Sequence, residues 1–254
     1  ARRLDRGWSR ISSLTLTPPT TRSNHEPQAD RRTADRRAVL ANVAFAVLGM
    51  VFNYPDVLKE PVEDILAAFT ASQTAITVGF AVLALSAALM APIAIGVGRL
   101  SSHRAMRVAV PVGIAAAVVQ VIGLSRWPLL VPGFATDATS ADAQVAATAR
   151  NSLILAHRVL GNVIGETFGY VLTAAWTLLV VVALGRSIAG RWFAALGAVS
   201  AVLVLSGVLS PLYLPVIDTA NFVGYVLWSI WLVVFAILLL RRPRTSAAAA
   251  ATAR

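Results

Sequence analysis

Five side chains able to carry charge or trade hydrogen bonds, His157, Arg158, Asn162, Glu166 and Tyr170, stand in the stretch HRVLGNVIGETFGY at residues 157–170. Glutamate beside histidine or arginine is a combination used for general acid–base work, and arginine with glutamate also suits a polar headgroup. On an α-helix, at 100° per residue, His157 and Glu166 point to opposite sides, so one straight helix cannot offer both to a single metal ion. Arg158, Asn162, Glu166 and Tyr170 fall instead within about 120° of one another, each one turn beyond the last. Gly161, Gly165 and Gly169 form a second stripe beside them. Small residues at that spacing let a neighbouring membrane helix approach closely.

The elements that must hold these residues are apolar. Hydrophobic residues make up 57% of the 254, charged residues 13%, and the mean hydropathy is +0.71, which excludes a water-soluble domain and places the chain among integral membrane proteins. A bilayer core needs roughly 20 apolar residues in helix. Windows at 38–54, 74–98, 106–125, 166–185, 192–213 and 220–240 qualify, which predicts an all-α protein of six transmembrane helices. No proline interrupts 143–165, so the fourth helix is expected to be long and to extend outward beyond the membrane. Residues 1–37 read as a disordered basic tail and 241–254 as a second basic tail, flanking a transmembrane domain at 38–240.

Orientation follows from the bases. The first tail holds nine Lys and Arg, the 99–107 loop three, the 186–191 loop two and the last tail four, against Lys59, Arg126, Arg150 and Arg158 on the other side. Both termini are therefore expected in the cytoplasm. The net charge of +10 is accounted for by this asymmetry, so no nucleic-acid partner is expected. Arginine-rich, alanine-rich usage fits a GC-rich bacterial genome, and the expected location is the bacterial plasma membrane. With no cysteine, thiolate metal sites and disulfides are excluded.

Prolines and aromatics at NYP (53–55), RWPLLVPGF (126–134) and PLYLP (211–215) are expected to stop helices and anchor at the interface, with RWPLLVPGF also apolar enough to dip back as a lid. Glu166 precedes Arg186 by 20 residues, roughly 30 Å of helix, which puts it near the outer interface rather than the midplane. Asn53, Tyr54, Gln73, Gln120, Arg126, Asp218 and Asn221 fall at the same level, while the inner halves hold only serines, threonines and Asn42. The expected picture is a polar vestibule in the outer leaflet above an apolar floor. Its lining would be Gln120, Arg126, Trp127, His157, Arg158, Asn162, Glu166, Tyr170, Asp218 and Asn221, acting either as a binding site or as mutual packing contacts.

The block HRVLGNVIGETFGYVLTAAWT resembles a bacterial integral membrane family catalogued as domain-of-unknown-function 4386. The similarity falls on His157, Gly161, Gly165, Glu166, Gly169, Tyr170, Thr173 and Trp176, and again on Gln120, Arg126, Trp127 and Pro132 in QVIGLSRWPLLVP. It covers about residues 35–240 and implies a six-helix membrane fold without implying a reaction. Relatives carry a histidine directly after the glutamate where this chain has Thr167, so any metal or proton chemistry of that histidine is not expected here.

No nucleotide motif, metal-spaced histidine pair or nucleophile elbow is present. His25 lies in the tail and His103 in a loop, so neither can share an iron with His157. No cofactor and no metal site are expected. The leading expectation is a non-enzymatic regulatory or partner-binding membrane protein with its vestibule around Glu166. The alternative is a small transporter or lipid-binding protein that recognises a headgroup or solute with Arg158 and Glu166. An intramembrane enzyme using Glu166 as acid or base is the third reading, and the spacing supplies it no paired catalytic geometry.

Overall fold

The computed structural model describes residues 43–188, 190–212 and 214–241. The expected tails, residues 38–42 of the first window and Asn42 lie outside them. Among the described residues every regular element is helical. Five runs are long and apolar enough to cross a membrane: Gln73–Gly98, Arg104–Asp137, Ala143–Leu184, Arg191–Leu212 and Pro215–Arg241. They mark the chain as a membrane protein, with exposed apolar side chains such as Val182, Val202 and Ile230 suited to lipid contact. The described part of the first window, α1 (Val43–Phe52), is a shorter apolar helix.

Local chemistry explains where each helix begins, bends and ends. Asn53 takes a positive φ of 50° and turns the chain out of α1, a conformation that asparagine tolerates better than most residues. A 310 turn at Asp56–Lys59 leads to α2 (Val62–Ala71). The next run breaks at Leu89 into α3 (Gln73–Ala88) and α4 (Met90–Gly98), three residues before Pro92, whose ring crowds the preceding turn. His103 caps α5 (Arg104–Leu129) by accepting from the Ala105 amide at 3.1 Å, and Asp142 caps α7 (Ala143–Ala156) by accepting from Gln144 at 2.8 Å.

RWPLLVPGF ends α5 at Leu129, but the apolar helical run resumes at once and reaches Asp137. The α-helix runs through Pro128, the Leu130 amide still donates to Arg126 O at 2.9 Å, and α6 (Val131–Asp137) follows with Pro132 in its first turn. One proline removes one internal hydrogen bond, and a proline near a helix start removes none, so a new helix starts directly after the break at Leu130.

The fourth run is one continuous helical rod, but not of one kind. Between α7 and α8 (Gly169–Ile188) the twelve residues His157–Phe168 form a π-helix, with i→i+5 hydrogen bonds. The 100° spacing used to place the polar stripe therefore does not hold there. Gly190, with φ 80°, makes the turn into α9 (Arg191–Leu205); a 310 segment, Ser206–Leu212, and α10 (Pro215–Arg241) complete the bundle.

Charge sorts to the two ends. Arg99, Arg104, Arg107, Arg191 and Arg241 lie at one set of helix ends, and Asp56, Glu60, Glu63, Asp64, Asp137, Asp142 and Asp218 at the other. At this carboxylate end α2, α6 and α7 pack on one another, over a core in which Trp127 stacks on Phe80 at 4.9 Å and meets Phe52 edge-on at 5.0 Å. Toward the arginine end a second core gathers Met90, Met106, Trp176, Phe193, Trp231 and Phe235. The polar residues lie between the two.

Candidate functional site

The seam between α5 and the fourth rod positions the site. Rebuilding a Cβ on Gly169 would bring it to 3.3 Å from Gln120, on Gly165 to 2.9 Å from the Gly123 Cα, and on Gly161 to 2.9 Å from the Arg126 guanidinium carbon. The three glycines thus meet Gln120, Gly123 and Arg126 in reverse order, as antiparallel helices require. A side chain at Gly123 or Gly165 would collide with backbone, which has nowhere to move. Closeness here is set by the glycines on both helices.

Arg126 lies flat in this seam, 4% exposed. It donates from one terminal nitrogen to the Gly123 carbonyl, its other terminal nitrogen sits 3.4 Å from His157 Nδ1, and its charge lies 5.4 Å from the Trp127 ring centre. His157 and Arg126 are therefore brought together. Trp127 itself belongs to the aromatic core, and its indole N–H has no hydrogen-bond partner among the described residues.

Glu166 stands in a different situation. It is half-buried and within Coulombic reach of Arg126 and Asp218. Tyr170 follows it by four residues and meets Tyr225 of α10 at 6.0 Å. Yet among the described residues the Glu166 carboxylate forms no hydrogen bond and no ion pair. A carboxylate removed from bulk water needs a donor or a cation to offset its lost hydration.

Its neighbours are already engaged. Lys59 binds Asp218 at 3.1 Å and Asp56 at 3.0 Å, bridging the 310 turn to the first turn of α10. Those hydrogen bonds, to Asp56 first and then Asp218, hold the Lys59 ammonium above its usual range. Gln120 donates to Thr173 at 2.9 Å. Asn221 donates to Val204 O at 2.7 Å. Tyr170 packs on Gly207 and meets Tyr225 at 6.0 Å.

Residues 38–236 match the domain of unknown function DUF4386. The chain belongs to this family. No curated protein and no solved structure matches the chain. The DUF4386 match takes in every residue of the polar layer and leaves out both expected tails.

Of the expected lining, Gln120, Arg126, His157, Glu166, Tyr170, Asp218 and Asn221 come into this layer. Arg158 is exposed and has no ion pair or hydrogen bond among the described residues; Arg126 is the base within reach of Glu166. Asn162 is half-buried in the π-helix without a side-chain hydrogen bond among the described residues. Among the described residues no three His, Asp or Glu side chains gather to hold a metal ion. Tyr225 and Thr173 escaped the sequence-derived lining. Asp218, Asn221, Tyr225 and Trp228 follow a 3-4-3 spacing on one face of α10, a helical signal present in the sequence.

Proposed function

We propose that this protein is a non-enzymatic binding protein of the bacterial plasma membrane that receives a partner from outside its own bundle at Glu166. In this reading it crosses the membrane six times, both termini are cytoplasmic, and the polar layer lies in the outer leaflet. The charge asymmetry supports the orientation, because the arginines collect at one end and the carboxylates at the other. A regulatory or partner-docking role is the form this function takes.

The observation that carries the reading is the carboxylate of Glu166, unpaired among the described residues while Gln120, Asn221 and Asp218 in the same layer are paired. A residue serving only the fold would be expected to end in contact with Arg126, its nearest opposite charge. A long π-helix around it supports the same reading, since such segments are concentrated at functional sites.

The test is gentle detergent extraction followed by native mass spectrometry of the wild type and Glu166→Gln, with circular dichroism to confirm folding. The expected result is a bound molecule or protein retained by the wild type and lost from the variant. Identical spectra for two folded proteins would overturn the reading. A lipid-binding form of the function is favoured over solute transport by the composition of the lower half, where polar side chains such as Thr177 and Ser200 are bonded within the bundle rather than lining a path.

A further inference from the structure

Resting on the proposal that Glu166 takes an outside partner, we infer that this partner carries an organic ammonium group, which docks between the Glu166 carboxylate and the tyrosines around it. The first ground is charge. Asp218 and Asp56 are neutralised by Lys59, and Arg126 is held by the Gly123 carbonyl beside His157 without reaching ion-pair contact with Glu166. Counting Asp56, Asp218 and Glu166 against Lys59 and Arg126 leaves one negative charge in excess. An anionic ligand would meet that excess at close range. A metal ion would find no third carboxylate or imidazole ligand among the described residues.

The second ground is the chemistry of the surrounding groups. Tyr170 on α8 and Tyr225 on α10 meet at 6.0 Å and 60°, and Trp228 continues the corner at 6.2 Å from Tyr225. Tyr54, in the link after α1, meets Phe80 edge-on at 5.1 Å. Electron-rich aromatic faces set beside one carboxylate attract ammonium and quaternary ammonium groups, and do so more strongly where water is depleted. Tyr54 and Tyr170 make no side-chain hydrogen bond among the described residues and are only half-buried, so their hydroxyls remain open to an N–H donor.

The ammonium could belong to a phospholipid headgroup or to a free amine, and the experiment separates the two. The full chain is reconstituted in phosphatidylglycerol nanodiscs, and its thermal midpoint is followed while ethanolamine, choline or inorganic phosphate is added. In parallel, nanodiscs mixing phosphatidylethanolamine with phosphatidylglycerol are analysed by native mass spectrometry for retained lipid. The expected result is stabilisation by ethanolamine or choline, or preferential retention of phosphatidylethanolamine, with none from phosphate. Glu166→Gln should weaken the effect roughly tenfold or more, while Tyr170→Phe, which keeps the ring, should largely preserve it.

A response to the free amines assigns the site to a soluble ligand, and retention of the ethanolamine lipid alone assigns it to the headgroup; either supports the inference. Equal responses to phosphate or phosphatidylglycerol, or undiminished ammonium binding by Glu166→Gln, would overturn it. In that event, another molecule lost from Glu166→Gln would leave the binding function standing, whereas no molecule depending on Glu166 would remove both. Should Glu166→Gln not fold, the selectivity of the wild type for ammonium over phosphate decides alone.

Discussion

Two stretches of one helical rod pack against α5 in opposite senses. In α8 the rod supplies the knob: Trp176 fills the space that Gly113 leaves on α5, where an added Cβ would lie 2.7 Å from the indole. In the π segment the rod supplies the holes, with Gly161 and Gly165 receiving Arg126 and the Gly123 backbone. The polar groups differ as well, although the Trp176 indole N–H in α8 has no partner among the described residues. In α8, Thr177 donates to Thr173 O at 2.8 Å and accepts from Trp228 at 2.8 Å, closing the hydrogen bonds within the bundle. In the π segment Glu166 is left open. One half builds a dry core, and the other buys close approach with glycine and leaves a charged group to be met from elsewhere.

The largest way to break the contrast is in the dry half. Trp176 is fully buried against Gly113 and Trp231, so Trp176→Ala should lower stability by roughly 3–5 kcal/mol, read as reduced resistance to denaturing detergent. In the glycine half the expected loss comes from overfilling. Gly123→Leu should destabilise by about 1–3 kcal/mol or more, while Gly133→Leu, at a site with nothing within 4 Å, should change little. Equal effects of the two would dissolve the seam as an explanation. Next comes Thr173→Val, which removes the hydrogen-bond partner of Gln120 and should cost about 1 kcal/mol in the same assay.

The smallest effect belongs to the strap at the carboxylate end. Lys59→Ala should cost about 1 kcal/mol at most, because the lysine side chain is 50% exposed and its ion pairs are hydrated. The hydrogen bonds raise the folded-state pKa of Lys59, so its contribution is complete below the ordinary lysine range and is lost only as pH climbs through the raised value. Wild type minus Lys59→Ala should therefore be constant between about pH 7 and 9. Thermal midpoints at several pH values check this.

Much of the bundle was legible in the residue pattern. Apolar windows foretold the five long runs, since the length of a membrane helix follows from hydrocarbon thickness. The glycine stripe lies where the fourth rod packs most closely on α5. The π geometry was hidden, because a shift from i→i+4 to i→i+5 bonding leaves composition and polarity unchanged and is decided by what the helix packs against. Pro128 marked the end of its helix, which stops at Leu129, but not the start of α6 at Val131, where Pro132 in the first turn removes no internal hydrogen bond. The preference for Arg126 over Arg158 as the base near Glu166 depends on contacts between helices, which spacing along one helix does not encode.

The central claim is that the π half of the rod opens Glu166 to the outside while the α half is sealed, and single-cysteine labelling tests it most directly. The chain contains no cysteine of its own, so Glu166→Cys and Thr177→Cys each carry one unambiguous thiol. Spheroplasts expressing either variant are treated with a membrane-impermeant maleimide before and after lysis. Glu166→Cys should label from outside in intact spheroplasts, and Thr177→Cys, whose parent side chain is 0% exposed, should not. Labelling of Glu166→Cys only after lysis, or labelling of Thr177→Cys at the same rate, would contradict the account.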